Sequence, residues 1–174
     1  SSDVCSSDLW MGAEWILKGK PTAIGIGSGF VAGLVGITPA AGFVTPTNAI
    51  FVGGLTSLAC FGAVHLKAHL KFDDSLDTFP VHGVGGTVGA LLTGVFATKA
   101  VNAAGNDGLL YGNPKQFVIQ LVAVLIAWIL SAVGTFIILK LISVFMPLRV
   151  DDQVEQEGLD VPVHGETAYG EGTY

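Results

Sequence analysis

Four apolar runs, each long enough to cross a lipid bilayer, constrain this chain more than any other feature of its sequence. They cover approximately residues 21–38, 48–64, 79–97 and 115–146. A helix needs about 20 mostly apolar residues to span the hydrocarbon core, and a spanning helix satisfies its own backbone groups. The sequence therefore predicts an all-α, polytopic membrane protein.

Composition and charge support this class and exclude others. Hydrophobic residues make up 51% of the 174 residues and charged residues only 13%, and the mean hydropathy is +0.63. These values are too apolar for an ordinary soluble domain. The net charge of -6 arises after Pro147, so no basic surface suggests a nucleic-acid partner. The two cysteines, Cys5 and Cys60, offer neither a disulfide framework nor a metal-binding spacing.

The runs divide the chain into three parts. Residues 1–9 are too polar for a span and lack the basic and apolar regions of a signal peptide, so we interpret them as an assembly scar from a translated sequencing adapter. Residues 10–146 form the transmembrane part, opening with the tail of a helix that began upstream. Residues 147–174 form an acidic tail. On this interpretation the chain belongs to a longer protein.

The basic residues predict the orientation of the spans. Alternating spans put six basic residues at one membrane face and two at the other: Lys18, Lys20, Lys67, Lys71, Lys140 and Arg149 against Lys99 and Lys115. Basic residues favour the cytoplasmic side. We therefore expect a multi-pass protein of the inner (plasma) membrane whose C-terminus is cytoplasmic.

A histidine lies near the start of the third run, His82. Asp77 or Thr78 can cap the first helical turn, and Pro80 is tolerated there because its missing N–H has no helical partner. Asp74 and Asp77 also favour the positive end of the helix dipole. We therefore expect a helix that begins near Thr78 and carries the imidazole about one turn from its start.

Three glycines follow His82 at helical spacing. Gly85, Gly86 and Gly89 are three, four and seven residues away, which predicts that they share one helix face with the imidazole. Such a face either receives another helix or leaves room for a small substrate. His82 could form a hydrogen bond between helices, ligate a metal or line a pore, although the spans contain no further histidine and no acid.

Two other groups of residues deserve an interpretation. His65 and His69 are four residues apart, but without a third ligand nearby we interpret them as part of a solvated turn rather than a metal site. In the tail, residues 157–169 mix apolar and charged side chains, which suits docking to a partner better than solvation alone.

Several motifs in register resemble the ammonium transporter family (Amt/Mep/Rh). They are residues 33–43, 73–74, 79–86, 158–160 and 164–169, and the order and spacing match along nearly the whole chain from Trp10. The resemblance implies the C-terminal part of an eleven-helix protomer, with the end of span 7 and spans 8 to 11. It also implies a homotrimer and inverted repeats.

The resemblance implies roles for individual residues. His82 matches the second of two pore histidines in a narrow hydrophobic conduit, and Asp74 matches the acidic position before it. Asp77, Gly85, Gly86 and Gly89 would support that pore helix. The implied docking or regulatory residues of the tail, near the site where a PII signalling protein binds prokaryotic members, are Gly158, Asp160, His164, Gly165, Glu166 and Tyr169.

The resulting hypothesis is ammonium or ammonia transport, without enzymatic activity, cofactor or metal. The expected partners are ammonium or ammonia, the lipid bilayer and two further copies of the chain, with a PII signalling protein as a candidate partner. No nucleic-acid partner is expected. The alternatives are a membrane-embedded enzyme or metal-binding protein that uses His82, and an ammonium sensor.

Overall fold

The computed structural model describes residues 2–70 and 73–167. Within these residues the regular structure is helical and contains no strand, which confirms the all-α prediction. The α-helices are α1 Ser2–Lys18, α2 Ala23–Ile37, α3 Pro46–Leu70, α4 Gly85–Phe96, α5 Pro114–Phe145 and α6 Asp152–Glu157.

The predicted spans correspond to four apolar helical segments. Within the described part of the chain, the segments long and apolar enough to cross a membrane are Ala23–Ala40, Pro46–Lys67, Phe79–Phe96 and Pro114–Phe145. The first includes a 3₁₀ turn after α2, Thr38–Ala40. The third begins with a π-helical turn, Phe79–Val84, that runs into α4. The prediction of four spans is therefore confirmed.

Helix α1 extends further than the sequence predicted. It begins at Ser2 rather than at Trp10, and Ser6 is fully buried. The Ser57 hydroxyl of α3 donates to the Ser6 carbonyl at 2.8 Å, whereas the buried Ser2 hydroxyl has no hydrogen-bond partner among the described residues. Residues 2–9 thus continue the helix, while their origin in an adapter stays a prediction.

The glycines of α2 form a close-packing face. A Cβ at Gly29 would lie 2.6 Å from Trp10 Cβ, and a Cβ at Gly33 would overlap Ser6. Trp10 in turn meets Phe61 of α3 edge to face, with ring centroids 5.3 Å apart. Helices α1, α2 and α3 therefore pack closely because glycine removes the side chain where α1 crosses α2.

A buried carboxylate joins α1 to the start of α2. Glu14 accepts hydrogen bonds from the Thr22 backbone N–H at 2.9 Å and the Thr22 hydroxyl at 3.0 Å, and it pairs with Lys18 at 3.0 Å. The Thr22 hydroxyl also accepts from the Gly25 N–H and so caps α2. These bonds satisfy the first orphan N–H groups of α2 and fix the turn between the two helices.

Polar contacts anchor the connection between α4 and α5 near the end of α2, the start of α3 and the end of α4. The Thr98 N–H donates to the Phe43 carbonyl at 2.8 Å. Asp107 accepts from the Thr98 hydroxyl at 3.1 Å and from the Lys99 N–H at 2.8 Å. The Asn48 amide also donates to the Tyr111 hydroxyl at 3.0 Å. The loop is therefore tied to the α2–α3 connection rather than free in solvent.

The chain forms two compact units that divide between Ala127 and Trp128, within α5. The predicted boundary between the transmembrane part and the tail, at residues 146 and 147, stays a prediction. The observed division reflects the packing at the start of α5, where the Cβ position of Gly94 lies 3.0 Å from Phe117 Cα. The second unit contains the rest of α5, α6 and a π-helical turn, Asp160–His164.

Candidate functional site

His82 is exposed and borders an open depression of about 300 Å³ on the first unit. The imidazole belongs to the π-helical turn Phe79–Val84. The other residues that line the depression are Ile24, Gly27, Ser28, Val31, Leu76 and Val81. Four of them come from α2, so the depression lies between α2 and the start of the third span.

Most of the residues that line the depression have apolar side chains or none. The Ser28 hydroxyl donates to the Ile24 carbonyl of its own helix at 2.9 Å, which leaves its oxygen as an acceptor. Within the described structure, no heavy atom beyond the chain neighbours and the backbone of its own helix lies within 4 Å of the Cβ position of Gly27, so the glycine contributes space. Among the described residues that line the depression, His82 carries the only titratable side chain. The site therefore offers one imidazole and one hydroxyl in an apolar surrounding.

The predicted single face with His82 and the three glycines is wrong. Residues 79–84 form a π-helical rather than an α-helical turn, and its i→i+5 bonding shifts the side chains in the turn relative to α-helical positions. Gly85 and Gly89 are buried, whereas His82 is exposed. The imidazole and these two glycines therefore belong to different sides of the segment.

The three glycines also have different surroundings. A Cβ at Gly85 would lie 3.0 Å from Cys60 Sγ on α3, and one at Gly89 would lie 2.9 Å from Gly36 Cα on α2. At Gly86 no such neighbour lies within 4 Å. Gly85 and Gly89 therefore allow close helix packing, while Gly86 is open.

The helix start that carries His82 is capped by Asp74, not by Asp77 or Thr78 as predicted. The two carboxylate oxygens of Asp74 accept from the Thr78 and Phe79 N–H groups, each at 2.9 Å. Slight desolvation raises the pKa of Asp74, but these two hydrogen bonds and the Lys67 charge outweigh it and hold the pKa below its usual 3.8. Asp74, four residues before Thr78, caps the helix in place of Asp77 or Thr78. It can do so because the intervening turn brings its carboxylate back to the helix end.

Asp77 has a different role from the one predicted. Its φ of 54° places it in the left-handed region, which non-glycine residues seldom adopt. Its carboxylate pairs with the Lys67 ammonium of α3, and the same ammonium donates to the Asp74 carbonyl. The Lys67 side chain is only 15% exposed. Lys67 therefore ties the end of α3 to the turn before His82.

His65 and His69 lie in α3 and not in a solvated turn, because the helix extends to Leu70. Their Nδ1 atoms are 3.0 and 2.9 Å from the carbonyls of Phe61 and His65, one turn earlier. These contacts with the helix's own carbonyls support its last turns. The described residues contain no group of three or more side chains placed to hold a metal ion.

The predicted tail residues form a compact turn in the second unit. Gly158 and Gly165 have positive φ values of 94° and 70°, and the Glu166 N–H donates to the Asp160 carbonyl at 3.2 Å. His164 ends the π-helical turn. Tyr169 lies outside the described residues. The structure therefore brings the predicted tail residues from Gly158 to Glu166 together.

The sequence profile of the Ammonium Transporter Family matches residues 2–169. This chain belongs to that family. An ammonium transporter of Bacillus subtilis strain 168 is 48% identical over 161 residues, and one of Aquifex aeolicus strain VF5 is 50% identical over 161 residues. The crystal structure of Saccharomyces cerevisiae Mep2 superposes with a TM-score of 0.79 at 39% identity.

These comparisons also define how much of each relative is matched. The alignments cover 92% of this chain, but 40% of the Bacillus transporter and 37% of the Aquifex transporter. The Mep2 superposition covers 87% of this chain and 36% of the yeast one. The chain therefore spans about two fifths of the length of these family members, which are named as transport proteins rather than enzymes.

Sequence reasoning missed several residues of this family member's site. From the sequence alone, Lys67 is assigned only a role in the orientation of the spans. Its position near a run of acids is the signal for its ion pair with Asp77. Cys60 was considered only for disulfides and metals, but its thiol lies 3.7 Å from the Val81 carbonyl. Ile24, Gly27 and Ser28 carried no recognisable signal because their proximity to His82 depends on how α2 packs.

Proposed function

We propose that this chain forms part of an ammonium transporter and that His82 lines the path of the substrate. Membership of the ammonium transporter family supports the substrate. The observation that supports the role of His82 is its exposed imidazole beside the open depression at the start of the third span. Buried histidines that only join helices are not expected to border open space.

The physical argument favours passage of neutral ammonia. A charged ammonium ion would lose several kcal/mol or more of hydration energy in an apolar path, whereas ammonia largely avoids this cost. A neutral imidazole can donate from one ring nitrogen and accept at the other, so it can replace hydrogen bonds that ammonia loses. In this proposal ammonium is recruited at the outer face and deprotonated before the apolar path.

The test replaces His82 by alanine in the longest reading frame that encodes this chain. In cells without other ammonium transporters, we expect His82→Ala to impair growth on limiting ammonium and to change the ammonium-dependent current. His69→Ala is the matched control, because among the described residues this exposed imidazole contacts a carbonyl of its own helix, that of His65. Wild-type growth and current in His82→Ala would reject the proposed role.

The assembly of the complete protein is a further part of the proposal. We propose a homotrimer in the inner membrane with the tail in the cytoplasm, as the basic residues and the family resemblance predict. Asp74, Asp77, Gly85 and Gly89 would support the pore helix through the contacts described above, and Gly86 would support it through the space that it leaves. The glycine at position 86, which has open space around it, would face the path or another part of the protein.

We propose that the tail turn from Gly158 to Glu166 docks on a cytoplasmic partner, with a PII signalling protein as the candidate. Exposed apolar side chains at Leu159, Val161 and Val163 support this proposal. Removal of residues 158–174 should weaken PII binding and alter transport. A protein without these residues that binds PII and transports ammonium at wild-type levels would contradict it.

A further inference from the structure

We propose that Cys60 and Gly85 are positioning residues, which hold the π-helical turn so that His82 borders the depression instead of the packed side of the segment. The inference deepens the proposed function, because it concerns how the same imidazole is oriented. The orientation itself can be measured without any transport assay.

Cys60 contacts the backbone directly before His82. Its side chain is fully buried on α3, and its Sγ lies 3.7 Å from the Val81 carbonyl oxygen. That carbonyl belongs to the peptide group that joins Val81 to His82. A thiol is a weak donor, but here it bonds to the backbone directly before the imidazole and thus fixes the plane of that peptide.

The second contact is the close approach at Gly85. A Cβ on this residue would lie 3.0 Å from Cys60 Sγ and 3.2 Å from Val35 Cγ1. Both distances are shorter than the separation of about 3.5–4.0 Å at which non-bonded carbon atoms attract best. Glycine at position 85 therefore lets the end of the π-helical turn approach α3 closely enough for the thiol to reach Val81.

The register of the π-helical turn also affects the direction of the His82 imidazole. An α-helix through residues 79–89 would place His82 beside Gly85 and Gly89, which face α3 and α2. The wider π-helical turn, with its i→i+5 hydrogen bonds, instead turns the imidazole away from that position. π-Helical turns persist where surrounding contacts stabilise them, and Cys60 and Gly85 supply such contacts here.

The experiment measures the imidazole signals of His82 by NMR in histidine-labelled full chain in lipid nanodiscs, assigned by their loss in His82→Ala. We expect Cys60→Ala to shift or split the His82 signals, and Cys60→Ser, which keeps a donor, to restore them. Thr56→Val is the matched control: Thr56 is fully buried one turn from Cys60, and its hydroxyl has no partner within the described structure. It should leave the His82 signals unchanged.

A second variant keeps the inference testable if Cys60→Ala disturbs the whole protein. Deletion of Val84 should convert the π-helical turn to an α-helix and rotate His82 toward the packed side. We then expect His82 to lose its reaction with diethyl pyrocarbonate, with His69 as the internal reference. Retained reactivity of His82 after the deletion, or unchanged His82 signals in Cys60→Ala, would overturn the inference.

The outcomes separate this inference from the proposed function. If Cys60→Ala shifts the His82 signals but His82→Ala keeps wild-type ammonium flux, the positioning role holds and the proposed path past His82 fails. If flux falls in His82→Ala but Cys60→Ala leaves both the signals and the flux unchanged, the transport role holds and the positioning role fails.

Discussion

A methyl group added at Gly89 tests the packing of the third span most sharply. The Cβ of Gly89→Ala would overlap the Gly36 carbonyl oxygen and lie 2.9 Å from the Gly36 carbonyl carbon and Cα. These are backbone atoms of α2, so no side-chain rotation can relieve the contact. Carbon atoms pack at about 3.5–4.0 Å, and the carbonyl oxygen lies closer still, so α2 and α4 must separate by about 1 Å or more.

The expected change in the free energy of unfolding follows from two opposing effects of Gly89→Ala. Overpacking of this kind costs about 1–3 kcal/mol, and the backbone contact favours the upper part of that range. Replacement of glycine by alanine inside a helix gains about 0.5–1 kcal/mol. The net result for Gly89→Ala is a destabilisation of roughly 1–2 kcal/mol.

Gly86→Ala supplies the matched control in the same helix. Its Cβ meets no heavy atom within 4 Å, so only the propensity term remains, and we expect a stabilisation of about 0.5–1 kcal/mol. The difference between the two variants isolates the packing cost, because the propensity terms cancel. Reversible unfolding of the chain in mixed micelles, followed by circular dichroism, measures both free energies. Equal unfolding free energies for the two variants would refute the packing described here.

Two further predictions concern polar contacts. Because the folded Asp74 pKa lies below its usual 3.8, its cap stabilises the fold above about pH 4 and the stabilisation is lost as pH falls further. Asp74→Asn should therefore lower the melting temperature at pH 7 but not at the acid end of a pH series, and a pH-independent difference would contradict this. Glu14→Ala should cost about 1–3 kcal/mol, because it leaves the Thr22 N–H and hydroxyl without their acceptor. Lys18→Ala should cost roughly 0–1 kcal/mol, since Lys18 is half exposed; equal unfolding free energies for these two would be inconsistent with the buried role of Glu14.

The spans were predictable because a bilayer imposes a length and an apolar composition that the sequence displays directly. The start of the third span was also predictable to within a residue, from Thr78 and Pro80. The π-helical turn was not, because an i→i+5 turn has no periodicity of its own in the sequence and depends on contacts from α3. The glycine at position 89 was recognised as a packing residue type, but its partner, Gly36, is known only from the fold.

Other differences have the same origin in tertiary contacts. The cap was assigned to the residues beside the helix start, whereas the turn through Asp77, at positive φ, returns Asp74 to that position. Helix α3 extends into the polar residues around His65 and His69, whose ring nitrogens contact carbonyls of the preceding turn. Local sequence patterns identify such residues as polar, but they do not say which backbone groups they bind.

The most direct test of the central claim is an ammonium pulse on proteoliposomes. They carry the protein made from the longest reading frame that encodes this chain. Surface electrometry and an internal pH dye together record both charged and neutral transport. We predict an ammonium-dependent response above that of protein-free liposomes, lost or strongly reduced in His82→Ala and retained in His69→Ala. A full wild-type response in His82→Ala would contradict a substrate path past His82.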